Sequence, residues 1–247
     1  MAHTRTSILA RASSAGNPVS VSATIPAGVT VLCLLIKGTG ATNRAGAAPS
    51  LSGGEPTSGT ITFTQANSTQ KAAASPEASA ELWYAVPNKD GPVRFKAGTY
   101  TLTIPNTGAI TLKYTLEAGS APAGGRSEFL NANGGNGTST NPTPGAVTVD
   151  TAGSIGWAIT AGGWTTWAPS AQVGTIIANT DDGADGGGEQ YILSPAIGSH
   201  TLSWTFGTSD DWGAVSAYFR EVPPPNDVNR MGGAAGGDGL TVVSRGF

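Results

Sequence analysis

A chain of 247 residues with only 12% charged side chains, about half the ~25% of an ordinary globular domain, must build its surface from Ser, Thr, Asn, Gly and Ala. A formal net charge of −3, with 13 Lys and Arg spread along the length, excludes the clustered cations that nucleic-acid binding needs. No run approaches the ~20 apolar residues of a membrane span, and the polar start MAHTRTSILARASSAGNP lacks the apolar core of a secretory signal, so synthesis is expected in the cytoplasm.

Residues 1–16 read as an N-terminal tail that carries His3. Residues 19–25, VSVSATI, alternate strictly, and Pro26-Ala27-Gly28 makes a turn into the apolar run 29–37, so the two read as a first hairpin. Cys33, the single cysteine, lies in that run and reads as a small buried hydrophobe rather than a reactive thiol; alone, it allows no internal disulfide framework. Residues 38–58 have no apolar period and are expected to be a long surface loop or a loosely held edge. Strands follow at 59–65 and 78–86, before the turn-rich break PNKDGP at 87–92. Residues 100–104 and 109–117 read as a second hairpin; in its later strand Ile110, Leu112, Tyr114 and Leu116 point inward and Thr111, Lys113, Thr115 and Glu117 outward.

Residues 118–145 hold the densest run of Gly, Asn, Ser, Thr and Pro, and are either a domain boundary or one long connection between sheets. Strands are expected at 146–151, 154–160, 175–179 and 190–194. The stretch TLSWTFGTSDDWGAVSAYFR, 201–220, then alternates Leu202, Trp204 and Phe206 with small polar residues, turns through 207–211, and extends again with Val215, Ala217 and Phe219 on one face. It reads as a closing hairpin. Turns every ~8–12 residues without a helical period predict an all-β sandwich or barrel with very little helix. Three prolines at 223–225 open a Pro/Gly-rich arm over 223–247, whose Leu240, Val242 and Val243 are candidates for adding as a strand to a neighbour's sheet edge.

Few residues suggest chemistry. The two histidines, His3 and His200, sit in the tail and at a strand edge, and neither a GxSxG elbow nor an HExxH motif occurs, so no hydrolase triad is expected. Asp181, Asp182, Asp185 and Glu189 offer the hard oxygen ligands that Ca²⁺ favours, but without the spacing of a calcium loop they read first as a solvated acidic turn. Trp164 and Trp167 in AGGWTTWAPS are either a carbohydrate platform or packing residues of core or subunit interface. No cofactor is implied.

Three stretches in order carry a likeness: IPAGVTVLCLLIKG at 25–38, ASAELWYAVPNKDGPVRF at 78–95 and HTLSWTFGTSDDWGAVSAYFRE at 200–221. Together they resemble the jelly-roll, concanavalin-like β-sandwich modules of tailed-bacteriophage virion proteins. The resemblance covers most of residues 17–222 and implies a single large antiparallel sandwich in which 118–145 is an internal connection. It also implies a non-enzymatic virion component: a head decoration protein, head fibre, or collar or tail accessory protein, assembled in the host cytoplasm and carried on the virion. The expected partners are then the major capsid protein or other virion proteins and further copies of the chain, with no nucleic acid and no membrane. A surface glycan is the alternative partner, for a carbohydrate-binding module, and a glycan-active enzyme is a third reading.

Overall fold

The computed structural model of the chain describes residues 2–40, 47–53, 60–71, 77–87, 94–106, 111–162, 170–171, 174–180, 187–207 and 209–223. Every regular element among them is a strand and every pairing is antiparallel, so the chain forms the expected all-β sandwich. The layering is four sheets deep.

The first half supplies β1 (Thr4–Ser14), β2 (Val19–Ile25), β3 (Val31–Gly40), β4 (Ser50–Gly53), β5 (Ile61–Thr62), β6 (Thr64–Lys71), β7 (Glu77–Ala85), β8 (Gly98–Ile104) and β9 (Thr111–Ser120). They form an inner sheet in the order β1-β9-β3-β7-β6 and an outer sheet in the order β2-β8-β4-β5. The alternation read from the sequence works as expected in the outer sheet. Val19, Ala23 and Ile25 of β2, and Tyr100, Leu102 and Ile104 of β8, are buried against Leu32, Leu34, Ile36, Leu112, Tyr114 and Leu116 of the inner sheet.

The second half supplies β10 (Arg126–Ser139), β11 (Val147–Val149), β12 (Ile155–Gly162), β13 (Ser170–Ala171), β14 (Thr175–Thr180), β15 (Gly187–Leu193), β16 (Gly198–His200), β17 (Trp204–Thr205) and β18 (Asp210–Val222). Its inner sheet runs β10-β18-β12-β15-β14, and its outer layer is two small pieces, β11-β16 and β13-β17. This is the strand order of the first half repeated. β1, β9, β3, β7 and β6 correspond to β10, β18, β12, β15 and β14; β2 and β4 correspond to β11 and β13; and β8, which pairs with both β2 and β4, corresponds to β16 and β17 taken together. Registers agree across the repeat, since Val31 pairs with Gly119 just as its counterpart Ile155 pairs with Phe219.

The two inner sheets pack face to face and make the central core. Val31, Cys33 and Leu35 of β3 and Leu82 of β7 meet Ile155, Trp157 and Ile159 of β12 and Val215, Ala217 and Phe219 of β18. Across this interface Tyr84 of β7 stacks on Phe129 of β10 at 4.7 Å, while Arg5 of β1 lies 4.4 Å over the Tyr191 ring of β15. These two contacts are counterparts in the repeat, so the halves are related by an approximate twofold running along the strands. A third core lies between the second inner sheet and its outer layer, where Leu202, Trp204 and Phe206 pack against Trp212, Ala214 and Tyr218.

Several sequence-based expectations are corrected. The N-terminal tail is strand β1, paired with β9. Most of 118–145 is the end of β9 and the 14-residue β10 rather than loop, and β3 and β4 take up part of 38–58. None of the three expected hairpins pairs its own strands: β2 pairs with β8 and β3 with β7 and β9; β8 stays in the outer sheet while β9 lies in the inner; β17 pairs with β13 while β18 pairs with β10 and β12. Each turn carries the chain from one sheet to the facing one. Strand-turn-strand alternation looks the same either way, because both arrangements need turn formers and one apolar face per strand.

Candidate functional site

The ionisable residues collect between the two inner sheets. Strand β9 turns Lys113, Thr115 and Glu117 toward the second half, and all three are buried because the first inner sheet is covered on both faces. Their expected outward, solvated placement is thereby corrected. Glu117 accepts two hydrogen bonds from Arg5, Nε–H at 2.5 Å and Nη2–H at 2.9 Å. Glu189 of β15 is fully buried with Arg11 Nε 3.8 Å away, and the Thr115 hydroxyl lies close enough to favour its charged form. Lys37 of β3 is also fully buried, and its tail fits beside Gly187, where a Cβ would stand 2.9 Å from Lys37 Cδ.

Burial raises the Glu117 carboxyl above its ordinary value against the opposing hydrogen bonds and charge of Arg5, and raises Glu189 against the charge of Arg11. The Cys33 thiol is pushed well up by burial and then by the Glu117 and Glu189 charges, which keeps it protonated and inert. At the end of the interface where β1 begins, His3 is buried and bridges the halves: its Nδ1–H donates to the Gly153 carbonyl at 2.7 Å, and Nε2 accepts from Ser127 Oγ at 2.8 Å. Ser127 Oγ in turn lies 2.6 Å from Thr30 Oγ1. Burial lowers the His3 pKa, so the ring is held neutral. This arrangement joins two sheets and leaves the carboxylates, Lys37 and His3 buried, with Arg5 and Arg11 only partly exposed.

Glu189, expected in a solvated acidic turn, is instead on the inner face of a strand, because β15 begins at Gly187 and its alternation directs position 189 toward β1 and β9. Asp181, Asp182, Asp185, Trp164, Trp167, Leu240, Val242 and Val243 lie outside the described residues. Among the described residues no group of three or more His, Cys, Asp or Glu is placed to hold a metal ion. The bounding strand ends are informative. Gly162 and Ser170, which flank Trp164 and Trp167, and Thr180 and Gly187, which flank the three aspartates, belong to the same end of the second half. Lys37, near the β3 terminus that leads into 41–46, meets Gly187 there. The connection 121–125, the start of β1 and the exit from β18 at Val222 all lie at the opposite end, where His3 meets Ser127 and Gly153.

The outer sheet of the first half has an uncharged hydroxyl face. Ser20, Ser22 and Thr24 of β2 stand beside Thr103, Thr101 and Thr99 of β8, and Ser50 and Ser52 of β4 continue the rows. Thr24 Oγ1 and Thr99 Oγ1 are 3.2 Å apart. The counterparts of the β8 threonines are Ser199, Thr201 and Ser203.

The residues that tie the halves together, Arg5, Arg11, Lys37, Lys113, Glu117 and His3, escape a reading based on alternation alone. Two signals point to them. One is the apolar continuity of β3, VLCLLIK, which implies a strand covered on both sides and therefore neighbours buried on both sides. The other is the repeat: GTYTLTI at 98–104 and GSHTLSW at 198–204 lie one hundred residues apart, each opening on a glycine of positive φ, Gly98 and Gly198. Comparison with the known protein families, the curated proteins and the solved structures finds no match to this chain.

Proposed function

We propose that this chain is a non-enzymatic bacteriophage virion structural protein, a decoration or accessory protein bound to the capsid or neck surface and assembled from several copies. The observation that carries this reading is the two-ended organisation of the molecule. The chain leaves the sandwich at Val222, beside the link between the halves, whereas the strand ends that bound the Trp and Asp segments lie at the far end. An exit toward the arm at one end and strand ends that lead into the Trp- and Asp-bearing segments at the other suit a protein held on a particle surface. The three motif stretches of the family resemblance contribute packing residues such as Leu32, Leu34, Trp83, Leu202 and Trp204, all buried, which agrees with a scaffold role. The major capsid protein or another virion protein is the partner.

Sedimentation of the purified protein with isolated phage heads and necks tests the reading: recovery in the particle fraction is expected, and a protein left wholly in the supernatant overturns it. A second reading, an adhesive module that binds surface glycan, draws on the hydroxyl rows of β2, β8 and β4 together with the two tryptophans in the sequence AGGWTTWAPS. Glycan-array binding without particle binding would favour it.

A further inference from the structure

We propose that the open edge of β10 receives residues 240–243 of a second copy, so that copies join by adding a strand to one another's inner sheet; the inference rests on the reading above of a multi-copy surface protein and names the self-contact that would build it. β10 is the longest strand of the molecule, 14 residues, and lies at a sheet edge: β18 pairs with it on one side and, among the described residues, no strand pairs with it on the other. From Asn131 to Ser139 its register with β18 is unbroken, and positions 129–139 hold neither a charge nor a proline.

Sheet edges that must stay single are shortened, bulged, charged or interrupted by proline. The other inner-sheet edges of this protein carry such devices. β1 has Arg5, Arg11 and two register shifts, β6 has a shift between Gln65 and Asn67, and β14 is six residues long with a shift between Ile176 and Ala178. The single shift in β10, between Phe129 and Asn131, precedes the flat stretch. A long, regular, uncharged edge is a template for another strand.

The occupant follows from where the described chain stops. Val222 pairs with Arg126, the first residue of β10, so the described chain ends one strand in from the open edge. Three consecutive prolines at 223–225 cannot continue the strand and favour an extended backbone. The 16 residues 224–239 include five glycines, and a chain of that length can span up to roughly 50 Å, enough to reach a neighbouring copy. Thr241, Val242 and Val243 are β-branched, the residue class that favours an added strand. Main-chain hydrogen bonds supply the affinity, and repetition on a particle multiplies it.

Two experiments on the full chain test the contact. Sedimentation velocity is compared for the unaltered protein and the double variant Leu240→Asp/Val242→Asp, which leaves the sandwich untouched. Self-association of the unaltered protein and a loss of about a hundredfold or more in the variant, with an unchanged melting temperature, are expected. For the second, chains bearing Asn131→Cys are mixed with chains bearing Val242→Cys and oxidised; Cys33 is buried and stays silent. A band of twice the chain mass from the mixture, and little from either variant alone, is expected. The proposal is overturned by a monomeric unaltered protein, by association that the Asp variant leaves intact, or by no band above background in the mixture. It is likewise overturned if a chain bearing both cysteines closes only on itself. Any of these results combined with retained sedimentation on phage particles removes the arm contact and leaves the accessory-protein reading standing.

Discussion

The two halves follow one strand order but fill it with side chains in opposite ways. In the first, Leu32 of β3 stands beside Ala118 of β9; at the corresponding place in the second, Gly156 of β12 stands beside Tyr218 of β18, whose ring would lie 2.6 Å from any Cβ at position 156. The large residue has changed strand. The same trade appears across the outer layers, where the first half has a four-stranded sheet over aliphatic residues and the second has two small strand pairs over Trp204, Phe206, Trp212 and Tyr218. Where less sheet covers the core, aromatic volume fills it, because packing density rather than residue identity is what a sandwich core must conserve.

The comparison is broken most severely by removing that volume. Tyr218→Ala is expected to cost about 3–5 kcal/mol in urea unfolding, and Gly156→Leu alone about 3 kcal/mol through overlap with the ring. Combined as Gly156→Leu/Tyr218→Ala, which writes the first half's pair into the second, they should recover much of the loss. Simple addition of the two costs would mean that the positions are not equivalent.

A second exchange sits on the twofold, where Arg5 and Glu117 of the first half correspond to Phe129 and Ala217 of the second. Arg5→Phe leaves the Glu117 carboxylate buried without its partner and is expected to cost about 3–5 kcal/mol. Adding Glu117→Ala should restore most of that stability, since an apolar pair can replace a buried ion pair. Failure of the rescue would show that the ion pair also holds Arg5 over the Tyr191 ring of the second half.

The hydrogen bonds of His3 to Ser127 and Gly153 are worth less, and His3→Ala should cost about 1–3 kcal/mol. The smallest effects are in the pH dependence. His3, lowered below 6.5, is bound by protons more readily in the unfolded chain, so its contribution to stability is lost as pH falls below 6.5. Glu189, raised above 4.5, holds its proton more tightly in the folded chain, so stability falls as pH rises from 4.5 through its folded value. His3→Gln and Glu189→Gln should each flatten one of these opposing slopes in unfolding midpoints measured between about pH 4 and 8. An unaltered profile would place that residue outside the interface in solution.

Legibility in the sequence divided along the same line. VSVSATI announces a strand and its buried face, and TLSW its buried Leu202 and Trp204, because alternation with a period of two is a property of extended backbone. Lys113, Thr115 and Glu117 alternate just as cleanly, yet their face is buried too, because a second inner sheet from residues far along the chain lies over it. Nearness in sequence groups Glu189 with the aspartates before it, whereas its strand places it opposite β1.

By itself, then, the sequence determined that the chain is all-β, where most strands run and which apolar residues they bury. Each of those follows from local periodicity and turn chemistry. Only the tertiary structure decided which strands pair, that the turns after β2, β8 and β17 cross between sheets, and that the charges of β1, β9 and β15 meet in a core. Those outcomes depend on contacts such as His3 with Gly153, between residues that no local pattern relates.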